Sequence, residues 1–364
     1  MNHKEIVFLV STKQSLGILE SQVFSLANYI VQNRAFAVKI VLLGEKISFD
    51  RSTYSDKLEF HFLNETISMG EIKNARIYIR SIDVFISKFL RLKINNNFIV
   101  YDFRALLFVE SFSRRRSYIV ATFIFMLEMI AYLLADEICC VSHNLKSQLS
   151  KIFIRKRHIY VFPCLISNMK ERVRSHHSYS NETYNFVYLG SISGWQKFEE
   201  AADLYKLYSA HNDSTFTVIT KDKIKAREIL VKKGLNAEIK SLSNAGVLAD
   251  LGNYDFGFLL RDNNLLNHVA SPVKYLEYLS CGVIPIMNYG IGDYSNEAKV
   301  NNIAIVIGRN EILLKEELSN LINDKSYNTR LSQYTKRYDY SIRINTHPLV
   351  SNVLGNLSDT DLTI

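Results

Sequence analysis

Short apolar, β-branched runs alternate with helical apolar periodicity along almost the whole 364-residue chain. In the first half the runs are EIVFLVS, AFAVKIVLLG, KLEFHFL, ARIYIRS, FIVYDFR, EICCVS and HIYVFPCLI, with helical patterns at 17–32, 113–135 and 143–152. A polar, charged stretch without periodicity, SNMKERVRSHHSYSNET (167–183), reads as a linker. Beyond it the alternation restarts. YNFVYLG precedes a helix at 196–210, STFTVIT one at 222–233 and AEIKSLS one at 244–252. YDFGFLL, VIPIMN and NIAIVI precede helices at 271–280, 293–301 and 310–323. Strands that alternate with helices build parallel sheets covered on both faces. The pattern therefore predicts an α/β protein with two doubly wound, Rossmann-like domains, residues 1–168 and 184–340, facing a central cleft. A linker at 169–183 joins them, and a tail at 341–364 could cross back to the first. Ligands are expected at the carboxyl ends of the strands.

With 48% hydrophobic and 22% charged residues, the composition is globular and excludes a disordered chain. Four cysteines, Cys139 and Cys140 adjacent, make neither a disulfide framework nor a zinc pattern, and they read as buried groups in a reducing compartment. The apolar run near the N-terminus is too short for a signal peptide and reads as a strand. SYIVATFIFMLEMIAYLLADE (117–137) is interrupted by Glu128. Neither apolar portion reaches the roughly 18 residues of a spanning helix. It reads as a buried core helix, with a surface-docked helix as the alternative.

Charge is divided unevenly. Residues 1–175 carry 25 Lys and Arg against 15 Asp and Glu, and the remainder 19 against 21, so the net charge of +8 resides in the first half. One domain is expected to face a polyanion: an anionic membrane surface, a lipid phosphate or nucleic acid. Arg114, Arg115 and Arg116 form a dense basic run directly before the apolar helix. They read either as a solvated turn or as a contact with anionic lipid or a lipid-linked diphosphate acceptor.

The stretch NHVASPVKYLEYLSCGVIPIMNYGIGD (267–293) carries the densest candidate chemistry. Ser271 is a good N-cap and Pro272 suits the first helical position. The amides that open the helix, around Val273 and Lys274, and its positive dipole end suit a diphosphate. Glu277 lies about 9 Å further along the axis, where a ribose would reach it; the alternative is an ordinary core helix. Gly290, Gly292 and Asp293 form a strand-to-helix turn, Asp293 being a cap or a ligand residue. Asp102 and Arg104 end a strand with Glu110 close behind, and they read as acceptor- or sugar-positioning groups or as a structural ion pair. His176 and His177 read as solvated, and no cluster with metal-ligand spacing is evident.

In their order and spacing, YLG (188–190), a strand ending in Arg261, ASPVKYLEYLSCGVIPI and YGIGD resemble the group 1, family 4-like retaining glycosyltransferases of the GT-B fold. YDFRALLFVE (101–110) and ADEICCVSHNLKSQL (135–149) are similar to that family's acceptor domain. The resemblance implies a nucleotide-sugar donor, a UDP- or GDP-sugar, held by the second domain without a metal or tightly bound cofactor. It implies that Glu277, the second Glu of a paired-Glu signature, bonds the ribose, and that Gly17, Gly190 and Lys197 face the donor. The first Glu of the pair should stand at Val269, between His268 and Ala270. Ser191 stands where Arg is usual, and Lys197 matches its counterpart only with a one-residue shift. Arg261 could supply the missing charge, and Asp102, Arg104, Arg261 and Lys274 are the candidate catalytic residues.

The implied activity is transfer of a sugar, with retention, to a glycan or lipid-linked acceptor. The setting would be bacterial surface polysaccharide synthesis, such as O-antigen or capsule, in the cytoplasm at the inner face of the membrane. A GT-B sugar-nucleotide epimerase and a non-catalytic GT-B scaffold remain as alternatives. Nucleic acid is disfavoured as a partner, because the abundant Tyr and Phe fall mostly within strand and helix patterns.

Overall fold

The computed structural model describes residues 5–34, 36–153, 156–165, 183–308 and 311–354. The expected linker, with His176 and His177, lies outside the described residues except for residue 183, as do residues 355–364 of the tail. The chain divides into two compact units, Met1–Ser167 with Asp339–Ile364, and Asn168–Tyr338.

The first unit is built on seven parallel strands: β1 (Glu5–Ser11), β2 (Ala37–Leu43), β3 (Leu58–Phe62), β4 (Arg76–Ile79), β5 (Phe98–Phe103), β6 (Glu137–Cys140) and β7 (Ile159–Val161). Their order across the sheet is β3-β2-β1-β4-β5-β6-β7. The second unit has six parallel strands, β8 (Tyr184–Leu189), β9 (Ser214–Ile219), β10 (Glu238–Lys240), β11 (Phe256–Leu259), β12 (Ile284–Asn288) and β13 (Ile305–Ile307). Their order is β10-β9-β8-β11-β12-β13. Central strands are apolar on both faces because helices cover both: Ile6 to Val10 of β1 are fully buried. In each unit the winding reverses once, between β1 and β4 and between β8 and β11. Helices leave the two strands flanking such a reversal in opposite directions, which opens a crevice at their carboxyl ends.

Each expected strand is present within three residues of its expected ends except HIYVFPCLI, whose strand stops at Val161, five residues short. The expected helix at 113–135 is two helices, Leu107–Arg115 and Tyr118–Leu134. The break falls at Arg116, which adopts a left-handed φ of 53°, and at Ser117, whose hydroxyl caps the second helix. A helix at Ile82–Ile94, between β4 and β5, carries no strong signal in the sequence. The expected burial of the 117–137 segment holds for only one side. Ala121, Glu128, Ala131 and Tyr132 are buried, whereas Ile119, Phe123 and Met126 are exposed.

Glu128 has a structural task. Its carboxylate accepts hydrogen bonds from the amides of Leu107 (3.0 Å) and Phe108 (3.1 Å), the first two residues of the preceding helix. Leu106 cannot cap that helix itself, so a carboxylate from the next helix does. Burial pushes the carboxyl up to about 7 even though both amide bonds favour its charged form.

The segment from Asp339 packs within the first unit. Tyr340 donates to the Ser21 carbonyl (3.1 Å), and His347, fully buried, lies against the rings of Phe162 and Tyr78. Glu128→Ala leaves two buried amides without partners and is expected to cost about 1–3 kcal/mol. Denaturant unfolding measures this, and a cost under about 0.5 kcal/mol, the range of ordinary surface substitutions, contradicts the capping role.

Candidate functional site

At the β8/β11 reversal the second unit gathers most of its candidate chemistry. Gly190 follows β8 with φ 145°, and a β-carbon there would collide with Lys274 Nζ and Gln196 Oε1. The turn after Gly190 is tied down by Tyr188, which donates to the Ser191 carbonyl (2.8 Å), and by Asp222, which accepts from the Ile192 amide (2.9 Å). Gln196 donates to the Ser191 hydroxyl (2.8 Å) and accepts from Lys274.

Arg261 stands just past β11. Asn288, at the end of β12, accepts from its amide (2.8 Å) and donates to its carbonyl (2.9 Å), fixing the backbone. The guanidinium stacks 4.3 Å from the ring centre of Trp195. It is 6% exposed, and its Nη1 has no hydrogen-bond partner. Burial lowers its pKa to about 10.

Lys274 is the second cation. Burial first, and then the charge of Arg261, lower its pKa to about 7, against an opposing pull from Glu277. Glu277 is raised by burial and drawn back by Lys274. Neither cation has a carboxylate within ion-pair distance among the described residues. Lys197 differs: its ammonium pairs with Glu200 (2.7 Å) and Asp262 (3.4 Å).

The helix that bears Lys274 and Glu277 starts at Val273, and Pro272 occupies the cap position. Ser271 is not the N-cap expected of it; its hydroxyl pairs with that of Tyr294 (2.8 Å). No side chain caps the helix, so its first amides, at Val273 and Lys274, have no intrahelical acceptor. Val269, at the expected position of a first Glu, is fully buried and brings no carboxylate.

Gly290 and Gly292 adopt φ of 84° and 51°, and the Gly292 amide donates to the Asn267 carbonyl (2.9 Å). A β-carbon on Gly292 would strike the Ala270 carbonyl. Gly292 lets the 289–293 turn brace the 267–270 loop, a supporting role, whereas a β-carbon on Gly290 would meet the Asn263 side chain. A cavity of about 720 Å³ opens beside this cluster, with Lys197, Arg261, Asn288 and Tyr289 on its polar wall and Leu204, Leu260 and Ile312 on its apolar one. Ser271, Lys274 and Glu277 lie outside that lining, and Arg261 is common to both.

The remaining candidates lie in the first unit. Gly17 is the second residue of the short helix Leu16–Leu19 that follows β1. Asp102, expected as a ligand-positioning residue, is fully buried. Its Oδ2 accepts from Tyr78 and from Arg104 (3.1 Å), with Arg80 Nε 3.8 Å away. The geometry is that of the structural ion pair, and Arg104 is the partly exposed member. Arg114 pairs with Glu110 (2.5 Å), while Arg115 and Arg116 point to solvent. Among the described residues no group of three or more His, Cys, Asp or Glu is placed to hold a metal.

No protein-family model matches the sequence. No curated protein matches it significantly. Solved structures do match. Anabaena HepE in complex with UDP and glucose superposes with a TM-score of 0.63 at 14% identity, over 98% of this chain and 99% of that one. The lipopolysaccharide outer core galactosyltransferase WaaB gives 0.66 at 13% identity, over 94% and 98%. An alpha-glucosyltransferase in complex with UDP and a 13-mer DNA gives 0.60 at 15%, over 95% and 98%. The fold is GT-B.

Within this GT-B chain the sequence reasoning passed over Trp195, Gln196 and Asn288. They sit in or beside turns, where periodicity carries no signal; the one available hint was that Trp195 is the chain's single tryptophan. Gly292→Ala combines left-handed strain with a backbone collision and is expected to cost about 2–4 kcal/mol. Denaturant unfolding reads it, and a cost under about 0.5 kcal/mol contradicts the bracing role.

Proposed function

We propose that the protein is a glycosyltransferase that takes a sugar from a nucleotide-sugar donor, a UDP-sugar first among the candidates. The acceptor is a glycan or a lipid-linked saccharide in the synthesis of a bacterial surface polysaccharide. One observation carries the reading: the buried Arg261 guanidinium, with Nη1 unpartnered, and the half-buried Lys274 ammonium beside it have no carboxylate within ion-pair distance among the described residues. Two like charges held in a low-dielectric crevice are costly unless an anion joins them. The uncapped helix N-terminus beside them offers amides to the same anion. A diphosphate fits that donor set, and Glu277, between one and two turns along, suits ribose hydroxyls. Support for UDP comes from HepE and the alpha-glucosyltransferase, both of which are described in complex with it.

In the reaction the bond between the sugar's anomeric carbon and the diphosphate oxygen breaks, and the acceptor hydroxyl forms the new glycosidic bond. Negative charge grows on the departing oxygen, where Arg261, Lys274 and the amides of Val273 and Lys274 stabilise it. The hydroxyl proton passes to the departing phosphate, which makes a separate general base unnecessary and suits retention. Charge neutralisation by side chains and amides is also what supports a reaction without a metal ion. Gly190 keeps space for Lys274, and Gln196 holds its ammonium. We assign Asp102 a positioning role, through Arg104. Gly17 is assigned to the donor on family resemblance, Arg104 to positioning the acceptor or the donor sugar from its place after β5, and the cytoplasmic face of the membrane is the setting this substrate class implies. The buried Val269 favours one second reading, a non-catalytic GT-B subunit. Such a subunit would bind nucleotide without turning it over.

Calorimetry with UDP and UDP-glucose tests the binding. Glu277→Ala should weaken it by roughly 10- to 100-fold, the worth of hydrogen bonds to a charged group. Arg261→Ala should cost roughly 10²- to 10³-fold in turnover. Equal affinity in both variants contradicts the assignment, and binding without turnover in any acceptor mixture moves the reading to the non-catalytic subunit.

A pH series is a second test. A bound diphosphate raises the Lys274 pKa above its free value of about 7, so the complex takes up a proton above that pH. Affinity for UDP-glucose should be flat below pH ~7 and fall by up to ~10-fold per unit above it. Lys274→Met should bind weakly and without that slope. A flat profile from pH 6 to 9 in the unsubstituted protein contradicts the role of Lys274.

A further inference from the structure

The helix Tyr118–Leu134 is amphipathic in the inverted sense. Its one carboxylate, Glu128, is buried, while Ile119, Phe123, Met126, Ile130 and Leu133 recur every three or four residues on the solvent side. Ile119 is 84% exposed and Phe123 60%. The neighbouring helix Ile82–Ile94 repeats the arrangement at four-residue spacing, with Ile86, then Leu90 at 74% and Ile94 at 82% exposure. Half of the large apolar side chains exposed among the described residues lie on these two helices, which is unlike the scattered apolar residues of an ordinary surface.

Cations flank the stripes. Lys88 and Arg91 stand on the helix Ile82–Ile94, and Arg114, Arg115 and Arg116 run directly into Ser117, the cap of the apolar helix. Arg115 and Arg116 are exposed and have no ion-pair partner among the described residues. Phe112 and Tyr118, on either side of the run, pack ring to ring at 4.6 Å and hold it against the start of the stripe.

We propose that this face docks on an anionic lipid bilayer. The helix Tyr118–Leu134 lies in the plane of the membrane, its apolar stripe among the acyl chains and the arginines at the headgroup phosphates. At 17 residues the helix is roughly 25 Å long, short of the ~30 Å hydrocarbon core. No helix among the described residues is long and apolar enough to cross a membrane, so the helix lies on the bilayer and does not traverse it.

Nucleic acid would satisfy the arginines and leave both stripes in water. A second copy of the chain would cover the stripes but bring a second set of the same cations to one interface. A bilayer with acidic headgroups satisfies both features. The link to a lipid-borne acceptor rests on the transferase reading above, whereas the docking itself rests on exposure and charge.

The intact protein, sedimented with vesicles of phosphatidylcholine alone and of equimolar phosphatidylcholine and phosphatidylglycerol, tests this, with UDP binding measured on the same preparation. Binding should require the anionic lipid and weaken with added salt. Arg115→Gln with Arg116→Gln should reduce it by roughly tenfold or more, and so should Phe123→Ser with Met126→Ser. These four positions are exposed, so the melting temperature and the affinity for UDP should hold. Equal binding to both vesicle types, or binding indifferent to both variants, overturns the proposal. A dimer that Phe123→Ser dissolves, without vesicle binding, assigns the face to a second copy and overturns it. Duplex DNA binding that the arginine variant abolishes, without vesicle binding, does the same for nucleic acid. Vesicle binding without UDP binding leaves the docking standing and contradicts only the transferase reading.

Discussion

Two neighbouring cations, neither with a carboxylate within ion-pair distance among the described residues, are the constraint around which the β8/β11 crevice is arranged. Arg261 is held at its backbone by Asn288 and at its guanidinium by the Trp195 ring, and Lys274 is held by Gln196. None of these partners is anionic. Burial lowers the pKa of both groups at the β8/β11 crevice, and Arg261 lowers that of Lys274 further. Gly190 is part of the same arrangement, since any side chain there would evict the ammonium from its place. The bare N-terminus of the Val273–Ser280 helix adds further positive potential without a side chain to quench it.

The first unit treats similar groups in the opposite way. Arg80 and Arg104 surround Asp102, which also accepts from Tyr78, and the cluster is closed over by His347 and Phe162. There one carboxylate faces two guanidinium groups, and Asp102 Oδ1 and the Arg80 Nε and Nη1 are buried without hydrogen-bond partners among the described residues. Burial holds the His347 imidazole neutral, lowering its pKa to about 3. The second crevice adds the uncapped amides of a helix N-terminus to its cations, and the proposed donor site is placed there for that reason.

Strand positions were legible because a parallel sheet covered on both faces demands continuous β-branched and apolar runs, and VIPIMN or EIVFLVS can do little else. Glu277, Lys274 and Arg261 could be named as candidates because each stands at the end of such a run or on the helix after it. What stayed hidden depended on contacts between distant residues. Ser271 has the composition of an N-cap, yet the Tyr294 hydroxyl, 23 residues away, claims its oxygen. The glycines at 290 and 292 looked like ligand-facing positions, whereas the Ala270 carbonyl explains Gly292. Arg116 looked like one charge among three, and its left-handed turn proved to separate two helices. The 117–137 segment is apolar enough for a core, and only its contacts reveal that one of its faces remains uncovered.

The most direct test of the central claim is to titrate the Lys274 ammonium itself, by NMR of isotope-labelled lysine with Lys274→Met to assign the signal. A pKa near 7 in the free protein, moving up by more than a unit on addition of UDP, is the predicted result. A pKa near the ordinary lysine value of 10.5 that is indifferent to UDP would contradict it. Lys274 would then be a solvated side chain, and the crevice would have no claim on a diphosphate.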